Sequence, residues 1–118
     1  MIRTLDELAN KLNELYPTRY SHFNQKQDGT FIVYLDQGEE NFHADNKVLT
    51  EITLVDVELY SPEKNLLAER QLKDLFRVNG ITYDKLPTTY IEDEKIFLTT
   101  FTIELVNDYK TMEELNNG

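Results

Sequence analysis

The chain has 118 residues, of which 40% are apolar and 11% aromatic, so it carries enough apolar surface for one buried core. Twenty-two acidic residues against twelve basic ones give a net charge of −10. This balance disfavours direct binding to nucleic acid or anionic lipid, since Lys and Arg hold both. The absence of cysteine excludes disulfides, thiolate metal ligands and a cysteine nucleophile.

The N-terminal residues predict a protein without a signal peptide. Met1–Thr4 leads into an amphipathic segment, whereas a signal peptide needs an apolar one. The sequence contains no unbroken apolar run of about 18 residues, the length of a membrane-spanning helix. We therefore expect a soluble protein that is made in the cytoplasm and does not contact membranes.

The first predicted helix covers residues 4–15. Thr4 and Glu7 have the spacing of a capping box, in which each residue satisfies a free backbone donor near the start of the helix. Pro17 ends the helix, because the residue before a proline avoids the helical conformation. The apolar residues that repeat at helical spacing are Leu5, Leu8, Ala9, Leu12 and Leu15.

Extended segments follow the first helix. Residues 20–23 and 31–35 are predicted strands because they are rich in aromatic and β-branched side chains. Residues 36–46 contain four acids and no base, which predicts an exposed loop around Phe42. Residues 48–60 alternate in polarity with a change of phase after Leu54. This pattern predicts a central strand that contains a bulge or is covered on both faces.

The second half of the chain predicts one more helix and two more strands. Ser61 and Pro62 have the pattern of a helix start, and Asn79-Gly80 that of a helix end. Extended segments are predicted at residues 81–83 and 95–106. The predicted buried stripe of the helix consists of Ala68, Leu72, Leu75 and Phe76, with support from Leu67.

The order of these elements predicts one α+β domain over residues 1–108. We expect a mixed, mainly antiparallel sheet of about four to five strands, with two helices packed on one face. Residues 109–118 are predicted to form a C-terminal tail, in which Thr111–Glu114 has the pattern of a short helix start.

No motif in the sequence indicates catalysis, a metal or a cofactor. His22, and His43 with Asp45, supply too few converging ligands for zinc. The acidic runs Glu39-Glu40 and Glu92–Glu94 lack the spacing of a calcium loop, and such runs normally stay solvated. Motifs for a serine nucleophile, a phosphate loop or a dinucleotide are absent. We therefore expect neither an enzyme nor a cofactor-binding protein.

Tyrosines near the predicted strand ends favour a protein that acts through contacts with other proteins. Tyrosine is enriched at protein interfaces because its ring offers a large rigid surface with one polar tip. For any single ring, the alternative is that it covers the margin of the sheet. The tyrosines concerned are Tyr20, Tyr34, Tyr60, Tyr83, Tyr90 and Tyr109.

Short segments spread over about residues 20–105 share their order and spacing with one family. They are Tyr20–Phe23, Phe31–Tyr34, Asn41–Val48, Val57–Tyr60 with Glu69, and Tyr83 and Lys85 with Tyr90–Glu94. Together they resemble the tail-terminator (tail-completion) proteins of siphophages and prophages of Gram-positive bacteria, also described as minor capsid or head–tail joining proteins. The family pattern has prolines before its second strand, where this chain has Asp28–Thr30.

The resemblance implies a structural protein of the virion that performs no chemistry. Such proteins form a ring, commonly a hexamer, on the last ring of the tail tube. The ring ends tube polymerisation and joins the tail to the neck of the head. The implied partners are copies of the chain itself, the major tail tube protein and neck or connector proteins. The implied location is the host cytoplasm during assembly and then the junction of tail and head.

The candidate subunit interface combines the acidic segment with exposed aromatic residues. Its predicted members are Tyr34, Glu39, Glu40, Phe42, Asp45, Asn46, Tyr90 and Glu92. Reversed charge at Glu39, Glu40 or Asp45 is expected to impair assembly or the passage of DNA without affecting folding.

Three other interpretations remain open at this point. An acidic protein of this size also suits a DNA mimic that inhibits a nucleic-acid enzyme, although a mimic would space its carboxylates regularly along one face. A different neck or adaptor-ring protein is equally compatible with the sequence. A small hydrolase or ligand-binding module would require a buried polar cluster.

Overall fold

The computed structural model describes residues 1–45 and 47–108. Asn46 and the predicted C-terminal tail, including Tyr109 and the Thr111–Glu114 helix start, lie outside the described residues. The elements in chain order are α1 (Leu5–Leu15), β1 (Thr18–Tyr20), β2 (Phe31–Ala44), β3 (Lys47–Ser61), α2 (Leu66–Val78), β4 (Tyr83–Lys85), β5 (Thr89–Ile91) and β6 (Ile96–Asp108).

The strands form one mixed sheet in the order β1-β2-β3-β6-β4, with β5 also paired to β6. β1 runs parallel to β2, and the other pairs are antiparallel. β3 pairs with β6 without interruption from Thr50 opposite Asp108 to Ser61 opposite Phe97. The predicted α+β class and the central position of β3 are thus confirmed. The three-residue strand β5 is one that the sequence did not predict.

Both helices pack on the same face of the sheet, as predicted. Phe76 on α2 contacts Phe101 on β6, with ring centroids 5.7 Å apart, and the core extends from there across β3 to α1. Neither α1 nor α2 lies on the opposite face. The shared core includes Leu8 and Leu12 of α1, Ala68, Leu72 and Phe76 of α2, Val55, Val57 and Leu59 of β3, and Phe101, Ile103 and Leu105 of β6.

The start and end of α1 follow their predicted signals. The Thr4 hydroxyl accepts a hydrogen bond from the Glu7 backbone N–H at 3.2 Å and donates one to the Glu7 carboxylate at 3.1 Å. The Thr4 hydroxyl therefore both accepts from the backbone of Glu7 and donates to its side chain. Tyr16, which precedes Pro17, is extended and ends the helix.

The predicted start of α2 at Ser61 and Pro62 is wrong. Ser61 is the last residue of β3, where it is 6% exposed and its hydroxyl lies 2.9 Å from that of Thr30. Asn65 caps α2 instead, because its side-chain oxygen accepts from the Ala68 N–H at 3.0 Å. The predicted end is confirmed, since Asn79 caps the helix and Gly80 follows it with φ of +67°.

Replacement of Asn65 by alanine is expected to lower the free energy of unfolding by about 1 kcal/mol, because the first turn of α2 loses its cap. Asn65 also donates to the Thr30 hydroxyl at 3.1 Å, so the loop before the helix loosens as well. Urea denaturation followed by circular dichroism measures the change. Asn10→Ala on the exposed side of α1 is the control, and an equal loss in both variants would contradict the assignment.

Two predicted extended segments lie a few residues from their observed positions. β1 ends at Tyr20, and Ser21 has φ of +65°, so residues 21–23 are not a strand. β4 covers Tyr83–Lys85, whereas the prediction placed it at residues 81–83. The strand predicted at residues 95–106 is confirmed as β6.

The predicted loop at residues 36–46 is wrong. β2 continues through this segment to Ala44 and forms a long hairpin with β3. Asp45 follows with φ of +52°, a conformation that Asp and Asn tolerate better than most residues. The side chains from Asp36 to Asp45 are nevertheless solvent-accessible, as a loop would have made them.

A β-bulge lies opposite the change of phase in the sequence of β3, but on the neighbouring strand β2. Asp36 pairs with Val55 and Glu39 with Thr53, so two residues of β2 face Leu54 alone. One of the two is Gly38, whose φ of +106° disfavours a residue with a side chain. Its N–H is held by the Asp36 carboxylate at 2.8 Å. The bulge is therefore in β2, whereas β3 is regular along its pairing with β6. The phase of β3 changes because Ile52 and Leu54 lie on the face opposite to the core residues Val55 and Val57.

Candidate assembly surfaces

The hairpin and the end of β6 form an arm that extends beyond the helical layer. The molecule measures 51 × 26 × 23 Å, and the core ends at Val55 on β3 and at Leu105 on β6. We use the term arm for residues 36–54 and 104–108. β1 covers β2 only as far as Tyr34, and no other described strand pairs with the outer edge of β2 along the arm.

One face of the arm carries an exposed apolar strip. Side chains alternate along a strand, and Val55 points towards the helices, so Ile52 points away from them. Val106 pairs directly with Ile52, and Phe42 pairs with Thr50 on the same face. Phe42 is 58% exposed and Val106 47% exposed. Among residues 1–45 and 47–108, the strip therefore presents apolar area to solvent on the face of the sheet opposite to α1 and α2.

The arm is also strongly acidic. It contains seven carboxylates and one lysine, Lys47. Charged side chains on an exposed strand edge hinder pairing with an identical edge, so two arms repel each other. The carboxylates are Asp36, Glu39, Glu40, Asp45, Glu51, Glu104 and Asp108.

The candidate interface residues fall into two groups at opposite ends of the sheet. Glu39, Glu40, Phe42 and Asp45 lie together on the arm. Tyr90–Glu92 lies at the far end, because β5 pairs with the first residues of β6 and the arm with its last ones. The two groups therefore form separate surfaces. Tyr90 is 45% exposed and packs on Phe97, with ring centroids 4.8 Å apart.

Tyr34, the remaining described candidate, is half-buried in the fold. Its ring meets Tyr20 edge to face, with centroids 5.2 Å apart, and packs against the core. Burial raises the pKa of its phenol, and the nearby Asp6 and Tyr20 add to this effect. Tyr60 and Tyr83 are also half-buried, so the predicted exposure is wrong for these three tyrosines.

A groove of about 520 Å³ lies between the open face of the sheet and the loop of residues 21–27. Phe31 and Tyr60 stack inside it, with centroids 4.9 Å apart, and Phe23 meets Phe31 edge to face. Asp93 and Glu94 line the same groove. Aromatic faces beside carboxylates suit the binding of a cationic side chain.

Burial affects Glu58, a carboxylate that is hydrogen-bonded to Tyr60 of this groove. The Tyr60 hydroxyl donates to the Glu58 carboxylate at 3.1 Å. Desolvation by burial raises the pKa of Glu58, with a further rise from Asp56, although the bond from Tyr60 opposes it. Burial likewise raises the pKa of Tyr60, and the charge of Glu58 adds to the rise. The raised pKa of Tyr60 keeps its phenol protonated, so it remains a donor to Glu58 on the same face of β3.

A buried ion-pair network that the sequence did not predict fixes the end of the molecule away from the arm. Glu69 on α2 is 5% exposed, and its carboxylate lies 3.0 Å from Lys64 and 3.3 Å from Lys85. Burial alone would raise the pKa of Glu69, but hydrogen bonds from the two lysines outweigh it and lower the pKa. Lys64 also donates to Thr88 at 2.8 Å, so the network joins α2 to the segment before β5.

No helix within residues 1–45 and 47–108 is long and apolar enough to cross a lipid bilayer. In the same part of the chain, no three His, Asp or Glu side chains are grouped so that they could hold a metal ion. A scan against models of known protein families and a search of curated proteins find no match to this chain.

Proposed function

We propose that the protein is a tail terminator of a phage or prophage. In this function, copies of the chain form a ring that ends polymerisation of the tail tube and joins the tail to the neck. Its partners are further copies of itself, the major tail tube protein and neck proteins, first in the host cytoplasm and then in the virion. The family resemblance of the sequence suggests this role, and one structural observation supports it.

The supporting observation is the separation of two unlike exposed surfaces along a 51 Å axis. The acidic arm lies at one end, and Tyr90 with the β5 turn lies at the other. A subunit with unlike exposed surfaces can use one of them for a neighbouring copy and another for the tail tube or the neck. Heterologous contacts between copies close into a ring when the rotation between neighbours permits. Carboxylates of the arm that faced the channel would repel DNA phosphates and let the genome pass.

Deletion of the gene that encodes this chain from the phage genome tests the proposal directly. Electron microscopy of the deletion strain is expected to show over-long tails without heads, because nothing ends the growth of the tube. Expression of the wild-type chain from a plasmid should restore tail length. Tails of normal length that are joined to heads would overturn the proposal. Tails of normal length that stay separate from filled heads would instead indicate a neck or adaptor-ring protein.

Reversal of charge on the arm is expected to separate assembly from folding. The triple variant Glu39→Lys, Glu40→Lys and Asp45→Lys should lower the free energy of unfolding by no more than about 1–2 kcal/mol. All three side chains are exposed, and only Asp45, with φ of +52°, has a backbone conformation that is less favourable for lysine. Infectivity should fall by roughly tenfold or more, since reversed charges at a contact surface cost several kcal/mol. Plaque counts and urea denaturation measure the two effects.

A control with the same change of net charge locates the effect on the arm. Glu14→Lys, Asp28→Lys and Glu63→Lys replace three exposed carboxylates outside the arm. We expect virions of this control to keep their infectivity. Wild-type infectivity in the arm variant, or an equal loss in the control, would count against the arm as a functional surface.

The density of carboxylates on the arm also supports a second candidate, an acidic DNA mimic that inhibits a nucleic-acid enzyme. Carboxylates at Glu39, Glu40 and Asp45 lie on one projecting hairpin that a basic DNA-binding cleft could accept. A mimic would bind such an enzyme tightly at low salt and weakly at high salt. Co-sedimentation with purified tail tubes but not with the enzyme favours the terminator, and the reverse result favours the mimic.

A further inference from the structure

We infer that the arm of one copy docks on the outward face of α2 in a second copy. This inference rests on the proposed ring and deepens it, because it names the two surfaces that meet between neighbouring subunits. Three features of the described residues support this inference. The outward face of α2 is apolar and basic, the arm has the opposite charge, and other acidic surfaces of a second copy repel the arm.

The outward face of α2 exposes more apolar surface than a solvated helix face normally does. Ala68, Leu72 and Phe76 fill the core side of the helix. On the other side, Leu67 is 66% exposed and Val78 is 79% exposed. Apolar side chains at both ends of the face suit contact with an apolar strip, and the arm offers one.

The charges of the two surfaces are opposite. Arg70 and Arg77 lie between Leu67 and Val78 on α2, and both arginines are exposed. Arg77 is paired with Asp74 at 3.1 Å, so the face keeps its net positive charge through Arg70. Glu69 is occupied by its lysine partners in the interior, so its charge does not offset the arginines at the surface. The arm provides seven carboxylates against one lysine. Attraction between such surfaces speeds encounter and fixes orientation.

Two acidic surfaces of a second copy repel the arm, namely the outward side of α1 and the second arm. The outward side of α1 carries Asp6, Glu7 and Glu14, and its Lys11 is already paired with Glu14 at 3.7 Å. Two arms repel each other through their carboxylates. Within one chain, the arm continues the sheet away from the core. The contact with α2 is therefore heterologous and intermolecular, as ring closure requires.

Disulfide trapping tests the contact in the full chain, which has no cysteine of its own. One copy carries Phe42→Cys on the arm, and a second, distinguishable by a tag, carries Leu67→Cys on α2. Both positions are exposed, so both variants should fold. Under mild oxidation we expect several-fold more cross-linked heterodimer than in a control with Asn10→Cys on α1. Equal yields with the two partners, or no cross-link above background, would overturn the inference.

Charge exchange provides a second test of the contact. Glu39→Lys with Glu40→Lys in the arm copy should lower the cross-linking yield roughly tenfold, as should Arg70→Glu with Arg77→Glu in the α2 copy. When the two altered copies are mixed, the charges complement each other again and the yield should recover. Failure to recover would contradict direct contact between these side chains.

The outcomes also separate this inference from the proposed function. Over-long, headless tails in the deletion strain together with unselective cross-linking would leave the terminator intact and reject the arm–α2 contact. Selective, charge-dependent cross-linking together with normal tails in the deletion strain would leave the contact intact and reject the terminator.

Discussion

Replacement of Phe76 by alanine is expected to lower the free energy of unfolding by about 3–5 kcal/mol. Phe76 is fully buried at 0% exposure, and its ring lies 5.7 Å from that of Phe101 and 5.5 Å from that of Tyr83. The loss combines the missing apolar contacts with the cavity that the neighbours cannot fill. Because small domains are stable by only about 5–15 kcal/mol, this change threatens the folded state. Urea denaturation followed by circular dichroism measures it.

Phe42→Ala is the matched control, since it removes the same atoms from an exposed position on the arm. Phe42 is 58% exposed, so we expect a loss of less than about 1 kcal/mol in the free energy of unfolding. Infectivity should nevertheless fall if the arm makes the proposed contact. Equal destabilisation by the two substitutions would show that the arm belongs to the folded core, and the assembly surface would have to be sought elsewhere.

The position of Phe76 illustrates what the sequence predicted well. Ala68, Leu72 and Phe76 recur at helical spacing, and this period alone places one face of α2 on the sheet. β6 was predicted equally directly, because its apolar residues alternate over a long segment. Elements whose own pattern agrees with their tertiary role are the ones that a single sequence reveals.

The arm shows why the second half of β2 was not predicted from the sequence. Residues 36–41 are rich in acidic and amide side chains and include Gly38, so their intrinsic preference is for a loop. They form a strand because β3 supplies the hydrogen-bonding partners opposite them. The pair Asp45-Asn46 is typical of a two-residue hairpin turn, and this signal marks where the prediction could have been corrected.

The prediction of the start of α2 was wrong for a related reason. Ser61-Pro62 has the pattern of a helix start, but pairing with β6 holds Ser61 in the sheet as far as its partner Phe97. Proline then ends the strand, because it cannot donate to the ladder. The helix begins only at Leu66, after Asn65 supplies the cap. Both Ser61 and Asn65 are residue types that cap helices. The helix uses Asn65 because β3 extends through Ser61.

The candidate site was predictable only where its residues are neighbours in the chain. Glu39, Glu40 and Phe42 were grouped correctly because one hairpin carries them. Tyr90 and Glu92 were added from composition, and no local pattern shows that the register of β5 places them at the opposite end. The separation of the two groups changes the interpretation from one interface to two unlike surfaces on an elongated subunit.

Removal of the charge of Glu69 is the second change from which we expect a large loss of stability. Glu69→Gln keeps the size of the side chain but leaves Lys64 and Lys85 without a counter-charge beside a buried position. We expect a loss of about 2–3 kcal/mol in the free energy of unfolding at neutral pH. The value is below that for fully buried pairs because Lys64 and Lys85 keep 42% and 29% of their side chains exposed and can turn to water.

The effect of Glu69→Gln should depend on pH with a definite sign. The lysines lower the pKa of Glu69 in the folded state below its ordinary value of 4.5, so folding favours the ionised carboxylate. This stabilisation is complete above the ordinary value and disappears as the pH falls through the lowered folded-state pKa. The difference in stability between wild type and variant should therefore stay constant at neutral pH and close under acid. Glu63→Gln, at an exposed position in the loop that carries Lys64, should show no such difference at any pH. A difference for Glu69→Gln that persists unchanged into strong acid would mean that shape rather than charge makes this residue important, and the network would not be what fixes α2 to the segment before β5.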